Sequence, residues 1–212
     1  ERYFEEWGVR YEKAMVMDSA SCLAGYPMYV VPTLEYFEGL TDQINTYGRY
    51  VTIPGALPIT RLFSENGWRT VTELMTTTDT SYAKSLVGDS IATYDKTEDD
   101  LEGPFDVTLL ATETHVDNMN YTYTSILFCN AGMISDSVLE QKNLLNSQYV
   151  AATLSLITTE TDAVVISAKN FESTTLTILG SQVRTLFWVL IIVIPFGIMV
   201  IGLVIWLRRR HL

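Results

Sequence analysis

The sequence predicts an α/β domain with a β-rich middle, followed by one C-terminal transmembrane helix. Three observations carry this. Strand-like runs fill the centre, among them "YVTIPGALPI", "FDVTLLATE" and "TYTSILFCN". Helical patterns lie towards both ends of the region before the tail, and strands alternating with helices point to an α/β arrangement. The chain then closes on "TLFWVLIIVIPFGIMVIGLVIWLRRRHL", which holds no charge from Leu186 to Leu207.

Taken in order, "ERYFEEW" reads as the end of a helix with Gly8 as its left-handed stop. "AMVMD" is a short buried strand ending at Asp18. "MYVVPTLEYF" has strand content, but Pro27 and Pro32 demote it to an edge or extended loop. "YVTIPGALPI" is β-rich and broken by the turn signal Pro54-Gly55. "TVTELMTTTDTSYAK" suits an exposed strand. "DKTEDDLEGP" is an acidic loop closed by Gly-Pro. "FDVTLLATE" and "TYTSILFCN" are the clearest strands, fit for a sheet centre. Tyr149, Ala152, Thr153 and Leu156 recur at helical spacing and give one moderately apolar face. "AVVISAK" is a last short strand.

The final run exceeds the roughly 20 residues needed to cross about 30 Å of hydrocarbon. Trp188 and Trp206 stand 18 positions apart, about 27 Å along a helix, near the separation of the two interfacial belts. Pro195 and Gly197 are tolerated in spanning helices. Arg208, Arg209 and Arg210 follow the run and only Arg184 precedes it closely, so the positive-inside rule places the C-terminus in the cytoplasm. The expected organisation is an extracytoplasmic α/β domain over 1–171, a connector over 172–184, a transmembrane helix over 185–207 and a cytoplasmic basic tail over 208–212. The opening Glu1 and the lack of a signal segment suggest the C-terminal part of a longer protein.

Residues 1–183 hold ten Lys+Arg against all 25 Asp+Glu, a formal charge of −15. Such a surface repels nucleic acid and anionic lipid. Two cysteines, Cys22 and Cys129, can pair in an oxidising compartment or remain two small buried thiols. Two histidines, His115 and His211, make a His-rich metal site implausible.

Motifs that carry chemistry are scarce. The chain has no P-loop, no G-x-S-x-G elbow, no H-E-x-x-H and no G-x-G-x-x-G. Cys129 and His115 make a thiol–imidazole pairing thinkable, but no glycine flanks Cys129 to allow a nucleophile elbow. Asp95, Glu98, Asp99, Asp100 and Glu102 cluster in the acidic loop, yet Asp100 stands where a calcium loop needs glycine. "LPITR" at 57–61 imitates a sorting signal far from any tail, and "NYT" at 120–122 is a glycosylation sequon. No catalytic, cofactor-binding or metal-ligating residue is assigned from these patterns.

"LTILGSQVRTLFWVLIIVIPFGIMVIGLVIWLRRR" resembles the C-terminus of the GldG-type family, auxiliary membrane proteins of gliding-motility-associated ABC transport systems. "YFEEWGVRYEKAMVMD", "GPFDVTLLATE" and "SILFCNAGMISD" followed by "NSQYVAATLSLIT" are similar to further segments of that family. Cys129 stands where its members usually carry Gly, and Ile157-Thr158 where they carry Trp-Leu. The resemblance implies an extracytoplasmic domain like the class I glutamine amidotransferase fold, lacking its N-terminal units. It also implies a non-enzymatic, membrane-anchored subunit that works with a separate ATPase and permease, without cofactor. A membrane-anchored cell-wall or sugar-active enzyme and a single-span surface receptor or adhesin are the rival readings.

Overall fold

The computed structural model describes residues 2–88, 91, 93–117, 120–158 and 180–210. The "AVVISAK" run, residues 172–179 of the expected connector and the tail beyond Arg210 lie outside them.

A short helix α1 (Arg2–Glu6) opens the chain. It stops at Gly8, whose φ of +79° is a conformation that side chains disfavour and whose Cα faces the Phe63 ring. Among the described residues twelve strands follow in chain order. They are β1 (Val9–Tyr11), β2 (Ala14–Met17), β3 (Tyr29–Val30), β4 (Thr33–Leu34), β5 (Ile53–Pro54) and β6 (Ile59–Arg61), then β7 (Glu65–Asn66), β8 (Arg69–Thr76), β9 (Tyr82–Ser85), β10 (Leu101–Glu102), β11 (Asp106–Asp117) and β12 (Asn120–Cys129). Helices α2 (Asp136–Leu139), α3 (Asn146–Thr158), α4 (Gly180–Trp188) and α5 (Ile194–Arg210) complete the described elements.

The main sheet runs β1-β6-β11-β8-β4, with β12 also on β11 and β7 also on β8. Asp106 pairs with Ile59 of β6 on one side and Thr76 of β8 on the other. From Thr108 onward β12 takes over the β6 side, in ten pairs from Thr108–Cys129 to Asp117–Asn120. Two smaller sheets, β10-β9-β2 and β3-β5, flank it.

Every pairing between these strands is antiparallel. This corrects the amidotransferase-like expectation. A fold of that kind needs strand–helix–strand units on a parallel sheet. Here only β7–β8 and β11–β12 are joined by short connections, the other partners come from distant parts of the chain, and the molecule is a mixed α/β fold around a β-rich sheet core. The segment read as one exposed strand is two, β8 and β9. Strand β8 lies inside the sheet, with Val71, Leu74 and Met75 buried.

Two apolar cores lie against strands of the main sheet. The larger includes Val16, Ile53, Leu74, Leu110, Met133 and Tyr149. The smaller gathers Trp7, Val9, Ile59, Val71, Leu109 and Phe128. Strand β11 supplies both, and its register against β8 is irregular around Thr108. Val107 and Leu110 reach the larger core, while Leu109 and Ala111 reach the smaller. The simple alternation of a strand would put 107 and 109 together, so the irregularity resets which face each residue serves. Helix α3 closes the larger core with Tyr149 and Ala152, and Thr153 is buried on the same face, as its spacing predicts.

The C-terminal run departs most from expectation. It is not one α-helix. Helix α4 has 9 residues, a π-helical stretch covers Val189–Val193, and α5 has 17 residues ending in Arg208–Arg210. Pro195 explains the break: it has no N–H to give the carbonyl of Ile191, and its ring crowds that carbonyl. Widening to a π turn just before the proline relieves the clash. Among the described residues no helix is long and apolar enough to cross a membrane. The transmembrane helix over 185–207 is therefore withdrawn. With it go the single-span localisation, the outside ectodomain and the cytoplasmic tail.

Candidate functional site

Strands β11 and β12 carry the only nucleophile–base pair the sequence offered, and they hold its members apart. Cys129 lies opposite Thr108, whereas His115 lies opposite Thr122. Seven residues of strand separate them, roughly 24 Å at about 3.4 Å each. Burial also pushes the Cys129 thiol above its ordinary value, which suppresses the thiolate that attack requires. Its backbone carbonyl accepts a hydrogen bond from the Tyr11 hydroxyl at 3.0 Å. Cys22 is buried beside the Ser19 carbonyl, and no disulfide joins the two cysteines. We expect Cys129→Ser to cost about 1 kcal/mol, at the low end for a buried hydroxyl because the site is part-exposed. Urea unfolding measures this, and a loss above about 3 kcal/mol would mean the sulfur fills a tighter site than described.

Two of the five acids of the loop are held in ion pairs. Lys84 of β9 and Asp100 form an ion pair at 2.8 Å with both side chains buried, and Lys96 meets Glu102 at 3.0 Å. Burial is the largest influence on Asp100 and pushes its carboxyl up. Hydrogen bonds from Lys84 and Thr97 outweigh it, so Asp100 ends below its ordinary value. Among the described residues no three His, Cys, Asp or Glu side chains are grouped to hold a metal ion. "LPITR" is likewise structural: Leu57 donates its N–H to Asn130, Ile59–Arg61 is β6, and Arg61 forms an ion pair with Glu73. The sequon residues Asn120–Thr122 open β12.

Where the ladder on β11 passes from β12 to β6, the Asn130 amide bridges the two segments. The buried Asn130 side chain donates to the carbonyls of Leu57 and Val107, each at 3.0 Å, and accepts from Leu57 at 2.8 Å. Buried Asp18, at the end of β2, accepts from the N–H groups of Ala20 and Ser21 and from Thr78. These are staples, fully occupied by the fold.

Among the described residues a charged cleft lies at the start of β11. Glu12, Arg61, Glu102, Phe105 and Asp106 line an open space of about 600 Å³. Arg61 is committed to Glu73, Glu12 accepts from Thr60 at 2.8 Å, and Glu35 accepts from Thr76 at 2.7 Å. Burial first, then repulsion from Glu73 and Glu35, raise Asp106 from 3.8 to about 6, while Arg61 opposes the shift. Sequence pattern alone does not mark Asp106. Its only sequence signal was an acid opening a strand that otherwise buries apolar residues.

The sign of the pH effect follows from this direction. A carboxyl that holds its proton more tightly when folded favours the folded state below its unfolded value. That contribution is lost as pH rises through about 6. Asp106→Asn should flatten this decline between about pH 4 and 7. At pH 7 it should stabilise the fold by about 1–2 kcal/mol, less than the full linkage because the side chain is part-exposed. Urea midpoints of both proteins across that range measure it. Parallel curves would show that Asp106 ionises without penalty.

No family model, curated protein or solved structure matches the chain. The chemistry of the site is what its own residues supply: an acidic, open cleft able to hold a cationic group, with no nucleophile beside it among the described residues.

Proposed function

We propose that the chain is a non-enzymatic binding or scaffold subunit, an auxiliary component that works with the separate ATPase and permease of an ABC transport system. The observation that carries this reading is the C-terminal surface. Leu186, Phe187, Trp188, Ile198, Met199 and Trp206 are all more than half exposed. Contiguous apolar exposure on this scale marks an interaction surface, and a partner subunit is the cover proposed for it. The separation of Cys129 from His115 along the β11–β12 ladder supports binding over catalysis.

Affinity purification of the tagged full chain from its own host, with the bound proteins identified by mass spectrometry, tests the proposal. An ATPase and a permease should co-purify. Replacing 187–205 with poly-Leu should weaken that recovery, because helix contacts depend on shape as well as apolarity. Recovery of neither protein would overturn the reading. Full recovery with the poly-Leu chain would move the contact away from this surface.

A further inference from the structure

The structure assigns a second interface: the outer edge of β12, which we infer pairs with β12 of a second copy of this chain. Strand β12 is bonded to β11 along one edge, and among the described residues no strand lies on its other edge. A sheet edge left this way presents a row of unpaired backbone donors and acceptors to any strand that fits. Proteins commonly blunt such edges with lysine, proline or a bulge. None is present here. From Tyr121 to Asn130 there is no charged residue, no Pro and no Gly, and the ten pairs with β11 run without a shift in register.

The pattern of the strand selects the occupant, and its lack of charge permits the contact. The chain carries a formal charge of −11, so two copies repel across most orientations. This uncharged stretch lets them meet without opposing carboxylates. Its pattern is also self-complementary. An antiparallel pairing centred on Thr124 sets Tyr121 opposite Leu127, Thr122 opposite Ile126 and Tyr123 opposite Ser125, with Thr124 facing its own copy. Thr–Thr pairs are among the favourable cross-strand combinations, and the Tyr121–Leu127 pairs bury apolar surface. The arrangement has a two-fold axis through Thr124, so it closes as a dimer and does not propagate. Tyr121 and Tyr123 are 65% and 61% exposed, leaving both rings free to cover the partner strand.

Sedimentation of the full chain over a hundredfold concentration range tests this. The unaltered chain should dimerise as concentration rises. Thr124→Lys and Thr124→Glu, each at an exposed position, should weaken the dimer at least tenfold by placing like charges on the axis. Circular dichroism of each variant should match the parent and exclude misfolding. An equimolar mixture of the two variants should recover the dimer, because Lys then faces Glu. The inference fails if the unaltered chain stays monomeric throughout, which would mean the edge is covered from within the same chain or by a different protein. It fails equally if Thr124→Lys dimerises like the parent, or if the mixture does not recover. This measurement is independent of whether an ATPase or permease is found.

Discussion

Asn146→Ala is expected to lower stability by about 3–5 kcal/mol. The Asn146 side chain is fully buried at the first residue of α3. It accepts from the Thr52 N–H at 3.0 Å and donates to the carbonyls of Thr52 and Met133 at 2.8 and 3.0 Å. Alanine leaves one donor and two acceptors without partners, and each such group costs about 1–3 kcal/mol when water cannot reach it freely. A domain of this size has only about 5–15 kcal/mol in hand, so the variant should sit near its folding threshold. Asn146→Asp should be no better: it keeps an acceptor for Thr52 but turns oxygen towards two carbonyls. Urea unfolding at constant m-value measures both. A loss under 1 kcal/mol for the alanine variant would show that the amide does not bridge these segments.

Gly132→Ala should be nearly as damaging, for a steric reason. A methyl at that position would stand 1.9 Å from the Pro54 carbonyl oxygen and 3.0 Å from its carbon. Backbone atoms cannot swing aside as a side-chain tip can. Gly132 lies in the 3₁₀ turn Ala131–Ile134, next to Met133 of the larger core. Relief must come from moving that turn off β5, so we expect a loss of about 3 kcal/mol, the upper part of the overpacking range. Gly197→Ala, where the added methyl meets nothing within 4 Å, is the control and should change stability by less than about 1 kcal/mol. Equal effects at both positions would remove the close approach to Pro54 as the cause.

The local reading of the chain succeeded where one physical rule dominated. Helical spacing marked the buried face of α3, Gly8 marked the stop of α1, and β-rich composition marked β11 and β12. Pairing was less legible, because hydrogen bonding between strands leaves no trace in local composition. Asp106 and Arg61 are 45 positions apart in sequence, and only the passage of β11 beside β6 brings them to one cleft. Asn130 and Asn146 look like ordinary loop and helix-start residues until their buried partners are known. The C-terminal run failed differently. Its apolar count sees side chains alone, whereas the break before Pro195 lies in the backbone hydrogen bonds.

Strand β11 has one more consequence, for how this chain can change in length. Leu109 and Leu110 are neighbours that enter opposite cores, and the irregularity at Thr108 sets which enters which. Losing or gaining one residue there would turn the following side chains over, sending residues sized for one core into the other. Point changes of apolar residues in β11 alter volume at a single place, but an insertion or deletion between 107 and 111 rewrites both interiors at once. Length variation should therefore survive in the exposed stretch around Asp95–Asp99 and be purged from these five positions. A library of single-residue deletions, selected for folded protein, would draw that boundary.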